Sequence, residues 1–456
     1  MEERERERED MLVVSGSKVR APLSVVFATL LYCAELINAA ILCRQYSRTD
    51  DTHWLAFTLT FMLLPAVLIQ MTLIFIHRDV GRDRPLVLLL HLLLLGPLIR
   101  CFDALVVYFK AGKVEEPYVT ITRKIFLGRG HQRTWTEYEI SRSQRILATH
   151  KNAFKRTSVI QAFLGSTPQL TLQLYAAILE KSILSVRLSL MIITKVSIIY
   201  GALVCSVLAI QVCYDDYKVR FRKLAYLCMV LWRGLEIATR ITTLVLMSTA
   251  LNHWVILVGV ANLLFFFFLP WAELWAKKGS LAEDVEKNFS KLGTVVVLSA
   301  FTLLYACINV FCWSAVQLDL GHPELLDRKQ RWDRLAAYYS VRFVENLLLI
   351  TLWYFFKSDF YEYVCAPLLA LQLLVCYSLA VLFMLLFYQY LHPCRRLFSH
   401  NVLCCRQHHP EAGKMAPSYS AAATMVLMSD EPVALLDPPD SHLQETTILD
   451  DLTEYA

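Results

Sequence analysis

Residues 224–248, LAYLCMVLWRGLEIATRITTLVLMS, form an apolar run that is long enough to cross a bilayer as an α-helix. Arg233, Glu236 and Arg240 lie inside this run at spacing i, i+3, i+7, which places them on one face of the helix. A charged side chain inside the hydrocarbon costs at least ~2.5–3.5 kcal/mol, so it persists only where it is paired or faces a polar path. The run therefore predicts a membrane helix with one polar edge.

The rest of the chain repeats this apolar pattern. Of the 456 residues, 56% are hydrophobic, and the net charge is only +5; soluble domains are about 45–50% apolar. Runs of spanning length predict helices, because isolated strands cannot satisfy their backbones in lipid. The predicted segments are 21–43, 54–76, 85–109, 157–180, 184–212, 224–248, 253–275, 292–315, 337–356 and 364–391.

Nine ionisable residues lie inside these segments, and several share a helix face with a second polar residue. They are Glu35, Arg100, Asp103, Lys195, Arg233, Glu236, Arg240, Arg342 and Glu345. Ser166, Gln169 and Gln173 add an uncharged polar stripe. We expect the polar edges to face one another. They form either a hydrophilic track for polar groups crossing the membrane or structural ion pairs that fix helix packing.

The distribution of charge in the loops indicates orientation. Residues 110–156 contain eleven Lys or Arg and four Glu, so the positive-inside rule predicts that this loop is cytosolic. If the N-terminus is also cytosolic, one of the first three segments must be incomplete. Pro65, Pro168 and Pro270 are positions that could break or shorten their helices.

A β-hairpin is predicted within the basic loop. Residues 117–126 and 132–140 alternate and are rich in β-branched and aromatic side chains, and Gly128 and Gly130 lie between them. An exposed edge of such a hairpin can bind a partner by strand addition, and Tyr118, Val119, Thr120, Ile121 and Thr122 are the candidate contact residues. The alternative is a hairpin that packs on its own domain.

Several chemistries find no support in the sequence. There is no GxxxxGK[ST] phosphate-binding loop, no HExxH and no nucleophile elbow. The thirteen cysteines lie mostly in apolar runs without CxxC pairs. We therefore expect neither an enzyme nor a cofactor, metal or nucleic-acid site.

Long stretches of the chain resemble the XK-related family of polytopic membrane proteins, and most of all its XK subgroup. The resemblance covers about residues 21–398. It is carried by HRDVGRDRPLVLLLHLLLLGPLIRC (77–101), EEPYVTIT (115–122), VIQAFLGSTPQLTLQLY (159–175), LWRGLEIATR (231–240), NVFCWSAVQL (309–318), YVCAPLLALQLL (363–374) and FYQYLHPC (387–394).

The resemblance implies an all-α polytopic fold of about ten hydrophobic helices, eight spans plus two half-membrane helices, in two pseudo-symmetric halves. The expected division is a charged cytosolic N-terminus (1–20), a first half (21–212), a second half (213–391) and a disordered cytosolic tail (392–456). Because some family members are phospholipid scramblases, the resemblance implies ATP-independent scrambling. The candidate lipid-path residues are Glu35, Asp103, Gln169, Gln173, Arg233, Glu236, Arg240, Arg342 and Glu345.

The resemblance also implies partners and a location. The basic loop matches one that binds a bridge-like lipid-transfer protein of the chorein type, and Cys365 matches a cysteine that is disulfide-linked to a membrane partner, although a packed free thiol is the alternative. Asp440 follows the DxxD pattern of an executioner-caspase site, as in members activated by tail cleavage. We expect a multi-pass protein of the plasma membrane. A non-transporting scaffold for a partner protein and a small-solute transporter are the alternative functions.

Overall fold

The computed structural model describes residues 21–77, 85–110, 118–127, 134–181, 184–213, 223–277, 291–315, 317–321, 326–327, 332–356 and 366–392. It is an all-α polytopic membrane fold. The α-helices are α1 Leu23–Arg48, α2 Thr52–Ile76, α3 Pro85–Leu92, α4 Gly96–Lys110, α5 Arg142–Ile160, α6 Thr167–Leu179, α7 Ser185–Cys213, α8 Lys223–Ala250, α9 Asn252–Ala276, α10 Lys291–Phe311, α11 Trp332–Phe356 and α12 Ala366–Leu386.

Each predicted apolar segment is helical over most of its length. Within the described residues, six helices are both long and apolar enough to cross a membrane, namely α1, α2, α7, α9, α11 and α12. Helix α8 has 28 residues and is equally long, but it carries the three charges of the LWRGLEIATR stretch. The outer surfaces expose large apolar side chains such as Phe265 and Leu257, which suits contact with lipid tails.

The third apolar segment is broken. It forms α3, of 8 residues, and α4, of 15 residues, with a turn at 93–95 in which Leu94 has a φ of 62°. At about 1.5 Å per residue, neither piece spans the ~30 Å hydrocarbon core. This geometry agrees with the expectation that one of the first three segments is incomplete.

The fourth segment belongs to a longer helical rod. Helix α5 continues through a π-helical stretch, Gln161–Ser166, into α6, and Pro168 lies in the first turn of α6. A proline at that point loses no regular helical hydrogen bond, and the wide π turn accommodates it. Pro65 and Pro270, by contrast, lie inside continuous helices α2 and α9, so the breaks considered there do not occur.

Close helix packing in the first half depends on glycine. A Cβ added to Gly201 of α7 would lie 2.3 Å from the Cβ of Ala162 and 3.0 Å from the Ser158 carbonyl oxygen. A Cβ on Gly165 would similarly lie 2.8 Å from Cγ of Pro65. These contacts hold α7 and α2 tightly against the rod formed by α5, the π-helical stretch and α6.

The predicted hairpin is present between α4 and α5. Strand β1, Tyr118–Leu127, pairs antiparallel with β2, Thr134–Ser141, and the register shifts between Val119 and Arg123. The predicted boundaries, 117–126 and 132–140, differ from these by one or two residues. A second, very short ladder joins β3, Gln317–Leu318, to β4, Leu326–Asp327.

Candidate functional site

A buried ion-pair network occupies the second half. Arg240 of α8 donates from Nη2 to Glu345 Oε1 of α11 at 2.7 Å and from Nη1 to Asn346 Oδ1 at 2.9 Å. Its Nε donates to the Val310 carbonyl oxygen of α10 at 3.2 Å. One guanidinium therefore ties three helices together.

Arg342 completes the same cluster from α11. It donates to the Glu345 carboxylate, to Asn262 Oδ1 at 2.7 Å and to the Asn309 carbonyl oxygen at 2.7 Å. Asn262 of α9 in turn donates to Glu345 Oε1 at 2.8 Å. The Glu345 carboxylate thus has two arginine partners and an amide donor.

Arg233 and Glu236 form a second pair on α8, one to two turns from Arg240. Their charged groups lie 3.3 Å apart, and Arg233 also donates to Ser206 Oγ at 3.0 Å and to the Trp313 carbonyl oxygen at 2.6 Å. The Trp313 amide donates to Glu236 Oε1 at 3.1 Å. Because Arg233 is fully buried, this pair is closed off on every side by protein.

The ion-pair network, as we call it, comprises Arg233, Glu236, Arg240, Arg342 and Glu345, so that three arginines are paired with two glutamates. Each acid has at least one arginine partner, and each arginine also donates to backbone or amide oxygens. Such an arrangement fixes helix positions, since removing one member of a buried pair costs about 3–5 kcal/mol.

Glu35 in the first half has a different environment. It lies on the buried stripe of α1, 5% exposed, and accepts hydrogen bonds from Gln161 Nε2 and from Ser166 Oγ at 2.8 and 2.9 Å. Ser166 also contacts Ser197 Oγ of α7 at 3.2 Å. Among the described residues, no Lys, Arg or His forms an ion pair with Glu35.

A small polar cavity lies beside this carboxylate. It has a volume of about 20 Å³ and is bordered by Glu35, Gln161, Gln169 and Thr194, with apolar residues completing the wall. The Gln169 amide is 4% exposed, and neither its oxygen nor its nitrogen has a hydrogen-bond partner; Oε1 of Gln161 is also unpartnered. Polar groups of this kind are normally satisfied when buried, so they mark the cavity as a site for a polar ligand or water.

Polar contacts continue from this cavity toward the C-terminal end of α1. Tyr46 donates from its hydroxyl to Gln173 Oε1 at 3.0 Å, and Gln173 Nε2 donates to Thr58 Oγ1 of α2 at 3.2 Å. Arg187 of α7 donates to the Tyr46 hydroxyl oxygen at 3.1 Å and pairs with Glu180 at 2.8 Å.

Polar contacts also continue from the cavity toward the N-terminal end of α1. The Tyr32 hydroxyl donates to the Leu94 carbonyl oxygen at 3.0 Å and accepts from Gln70 Nε2 at 3.2 Å. Oε1 of Gln70 accepts from the Gly96 amide at 3.1 Å and lies 2.9 Å from His91 Nδ1. These bonds hold the turn between α3 and α4 against α1 and α2.

These first-half groups together form what we call the polar file. Its members lie where α1 packs against neighbouring helices. They are Tyr32, Glu35, Tyr46, Gln70, Gln161, Ser166, Gln169 and Gln173. From Tyr32 to Tyr46 the helix rises about 21 Å at 1.5 Å per residue. The file thus covers most of the ~30 Å thickness of a hydrocarbon core.

A histidine pair lies where α2 meets α5. His77 Nε2 is 3.2 Å from His150 Nδ1, and Arg100 and Asp103 of α4, themselves 3.2 Å apart, are close by. Burial, reinforced by the positive Arg100, lowers the pKa of His77 to about 3 and that of His150 to about 4. Both imidazoles are therefore neutral at physiological pH.

The predicted polar edges consequently fall into two clusters rather than one seam. Glu35, Gln169 and Gln173 lie in the polar file, whereas the five charged candidates of the second half lie in the ion-pair network. Asp103 is partly exposed beside Arg100, and Lys195 is exposed on the outer face of α7. Polar edges of neighbouring helices face one another within each cluster, and the lipid track stays a prediction.

The hairpin candidates lie on β1. Val119 has Ile140 as its cross-strand neighbour and Tyr118 has Ser141, whereas 120–122 fall in the irregular stretch of the register. The sheet has two strands, so within the described part of the chain the outer edge of β1 has no strand beside it. Cys365 and Asp440 lie outside the described residues.

Sequence reasoning missed several polar partners. Gln161, Ser197, Asn262, Asn309 and Asn346 are uncharged residues within apolar helices, and a single such residue is as often a bystander. Gln161 precedes Ser166 by five residues, a spacing that does not share a face of a regular α-helix, and the π turn brings the two together on Glu35.

Comparisons with known proteins agree with this architecture. A protein-family model described as XK-related protein matches residues 23–393. The chain is 50% identical over 384 residues to "Endoplasmic reticulum membrane adapter protein XK" of Pan troglodytes and of Rattus norvegicus, and 49% identical to that of Mus musculus. Each alignment covers 84% of this chain and 86% of the relative.

Proposed function

This chain belongs to the XK-related family, and on that premise we propose that it lets phospholipids cross the bilayer without ATP. We further propose that it binds a bridge-like lipid-transfer protein of the chorein type through its cytosolic hairpin. The observation that carries the proposal is the polar file, which runs through the first half and includes Glu35, a carboxylate with no basic partner among the described residues.

The physical argument concerns the cost of moving a headgroup. A phospholipid headgroup is charged, and its passage through hydrocarbon is opposed by the loss of hydration. Hydroxyl, amide and carboxylate groups spaced over about 21 Å along α1 replace part of that hydration. The cationic end of a zwitterionic headgroup would find its counter-charge at Glu35. The acids of the second half are less suited to this role, because they already pair with arginines.

The candidate residues divide accordingly. We assign Glu35, Gln169 and Gln173 to the lipid path. Asp103, partly exposed at the middle of α4, remains a candidate for the lipid path. The ion-pair network is assigned to helix packing, because each of its charged groups already has an oppositely charged partner.

A non-transporting membrane adapter is the second candidate. One observation favours it: the XK relatives are named as membrane adapter proteins. In this reading the polar file is filled by water and carries no lipid.

We infer the membrane in which the protein resides from the names of its relatives. Sequence reasoning favoured the plasma membrane, whereas the relatives are named for the endoplasmic reticulum membrane. We propose the endoplasmic reticulum as the principal site. Imaging of a tagged full chain beside markers for both membranes tests this, and labelling at the cell surface alone would refute it.

Reconstitution distinguishes the two functions. The purified full chain is inserted into vesicles that contain a fluorescent phospholipid, and a membrane-impermeant reductant bleaches the outer leaflet. A scramblase lets the reductant bleach inner-leaflet lipid as well, with no nucleotide present. An adapter leaves the inner leaflet protected while still capturing its lipid-transfer partner from solution.

A further inference from the structure

We infer that the cavity beside Glu35 binds a compact monovalent cation, either an alkali ion or a primary ammonium group. The inference concerns charge and size within one cavity, so it does not depend on whether the protein moves lipids.

The first step is charge balance. The Glu35 carboxylate is nine-tenths buried on a membrane helix, and its hydrogen bonds come from neutral donors, Gln161 and Ser166. A buried carboxylate with no positive partner is strongly disfavoured unless it takes up a proton or a cation accompanies it. Within the described residues no basic side chain fills that role, so the positive charge is expected from a ligand.

The second step is the set of donor atoms. Oε1 of Gln161 and both polar atoms of Gln169 have no hydrogen-bond partner, and both side chains border the same cavity as Glu35. Amide and carboxylate oxygens are hard donors that suit alkali ions, and they equally accept hydrogen bonds from an ammonium group. An unpartnered buried amide beside an unpaired carboxylate is the arrangement such a cation requires.

The third step is selection by charge and size. One carboxylate provides a single negative charge, and among the described residues no group of three His, Cys, Asp or Glu is suited to a metal ion. Divalent ions usually take more charged oxygen ligands, so a monovalent ion is favoured. A volume of about 20 Å³ accommodates an object the size of one water molecule. The trimethylammonium group of choline is larger than one water molecule, so we expect it to bind more weakly than a compact cation.

The test measures thermal unfolding of the purified full chain in nanodiscs made of phosphatidylcholine, at fixed ionic strength. Sodium, potassium or ammonium chloride replaces choline chloride stepwise. We expect a saturable rise in the unfolding midpoint of about 2–4 °C with a compact cation. A parallel series in which part of the lipid is phosphatidylethanolamine tests a lipid ammonium as the source.

Two variants make the result specific. Glu35→Gln keeps the shape of the side chain and removes its charge, so the dependence on cations should disappear. Gln169→Met removes an amide that makes no hydrogen bond, so the protein should fold normally and the midpoint should rise only at several-fold higher cation concentration. Gln372→Met, an exposed position on α12, is the matched control and should respond like the wild type.

The outcomes are exclusive. A response to alkali ions alone identifies an ion site, and a response to phosphatidylethanolamine alone identifies a headgroup site. A response to both identifies a site for compact cations from either source. If neither changes the midpoint of the wild type, or if Gln169→Met and Gln372→Met respond equally, the inference is wrong and the cavity is a water site beside a protonated acid.

Discussion

Arg240 and Glu345 are 105 residues apart in the chain, yet their side chains meet at 2.7 Å inside the second half. Arg240 is 2% exposed and Glu345 contacts Arg342 and Asn262 as well. This pair joins α8 to α11 and is the centre of the ion-pair network. Its burial explains how strongly charged residues are tolerated within segments of spanning length.

Removing one member of this pair should destabilise the protein. Arg240→Met leaves the Glu345 carboxylate with only Arg342 as a charged partner, and breaking a buried pair costs about 3–5 kcal/mol. We expect a lower unfolding midpoint and less monodisperse protein after extraction. The double variant Arg240→Met with Glu345→Leu should be less stable still, because it also removes the acid with which the buried Arg342 pairs. Equal stability of Arg240→Met and wild type would contradict the structural role.

Gly201 should be far more sensitive to substitution than another helical glycine. In Gly201→Ala the new Cβ would lie 2.3 Å from Cβ of Ala162, and such overpacking typically costs about 1–3 kcal/mol. Gly259→Ala is the control, since nothing lies within 4 Å of its added Cβ; it should be neutral or slightly stabilising. Thermal unfolding of the two variants checks this, and equal midpoints would show that α7 is not closely packed there.

The low pKa values of the histidine pair predict that the protein loses stability as the pH is lowered. Folded pKa values of about 3 for His77 and about 4 for His150 lie below the ordinary value near 6.5. The unfolded chain therefore binds more protons between these limits, so stability is complete above pH 6.5 and decreases as pH drops toward 4. The expected loss is roughly 2 kcal/mol for each histidine between pH 6.5 and 4.5.

Glutamine in place of both His77 and His150 should make the stability of the protein less dependent on pH. His77→Gln with His150→Gln removes the two titrating groups, while Arg100 and Asp103 remain in place. Unfolding midpoints are compared at pH 7.5, 6.0 and 4.5 under constant ionic strength. If the double variant declines as steeply as the wild type, acid sensitivity originates elsewhere in the chain.

The hairpin predicts a docking edge for the lipid-transfer partner. Ile121→Pro places a proline in the irregular part of β1 and removes a backbone donor that an added strand would need. Recruitment of the partner to membranes in cells should be lost, as it should with Val119→Pro, while Thr120→Ser should have little effect. Reversal of charge at Arg123 and Lys124 should weaken recruitment in a salt-sensitive way if the contact is electrostatic instead.

Recruitment that survives both proline variants would exclude strand addition at this edge. The comparison requires equal membrane expression of all variants, which is measured by immunoblotting of the membrane fraction. Val119→Pro also disturbs pairing with Ile140, so Ile121→Pro is the more specific of the two.

The sequence predicted the helices well because spanning apolar runs leave few alternatives in lipid. It also predicted the hairpin, since alternation and two glycines define one locally. It could not reveal that Glu35 meets Gln161 and Ser166, because the π turn that joins them depends on tertiary packing. Nor could it pair Arg240 with Glu345, since distance along the chain carries no information about which helices adjoin.

The most direct test of the lipid path is scrambling by the Glu35→Leu variant in nucleotide-free vesicles. Leucine keeps the apolar helix and removes the unpaired carboxylate, so bleaching of inner-leaflet lipid should slow at least tenfold, which corresponds to about 1.4 kcal/mol in the barrier. Gln372→Leu, on the exposed face of α12, should scramble like the wild type. Unchanged scrambling by well-folded Glu35→Leu protein, or no scrambling by the wild type, would contradict the account.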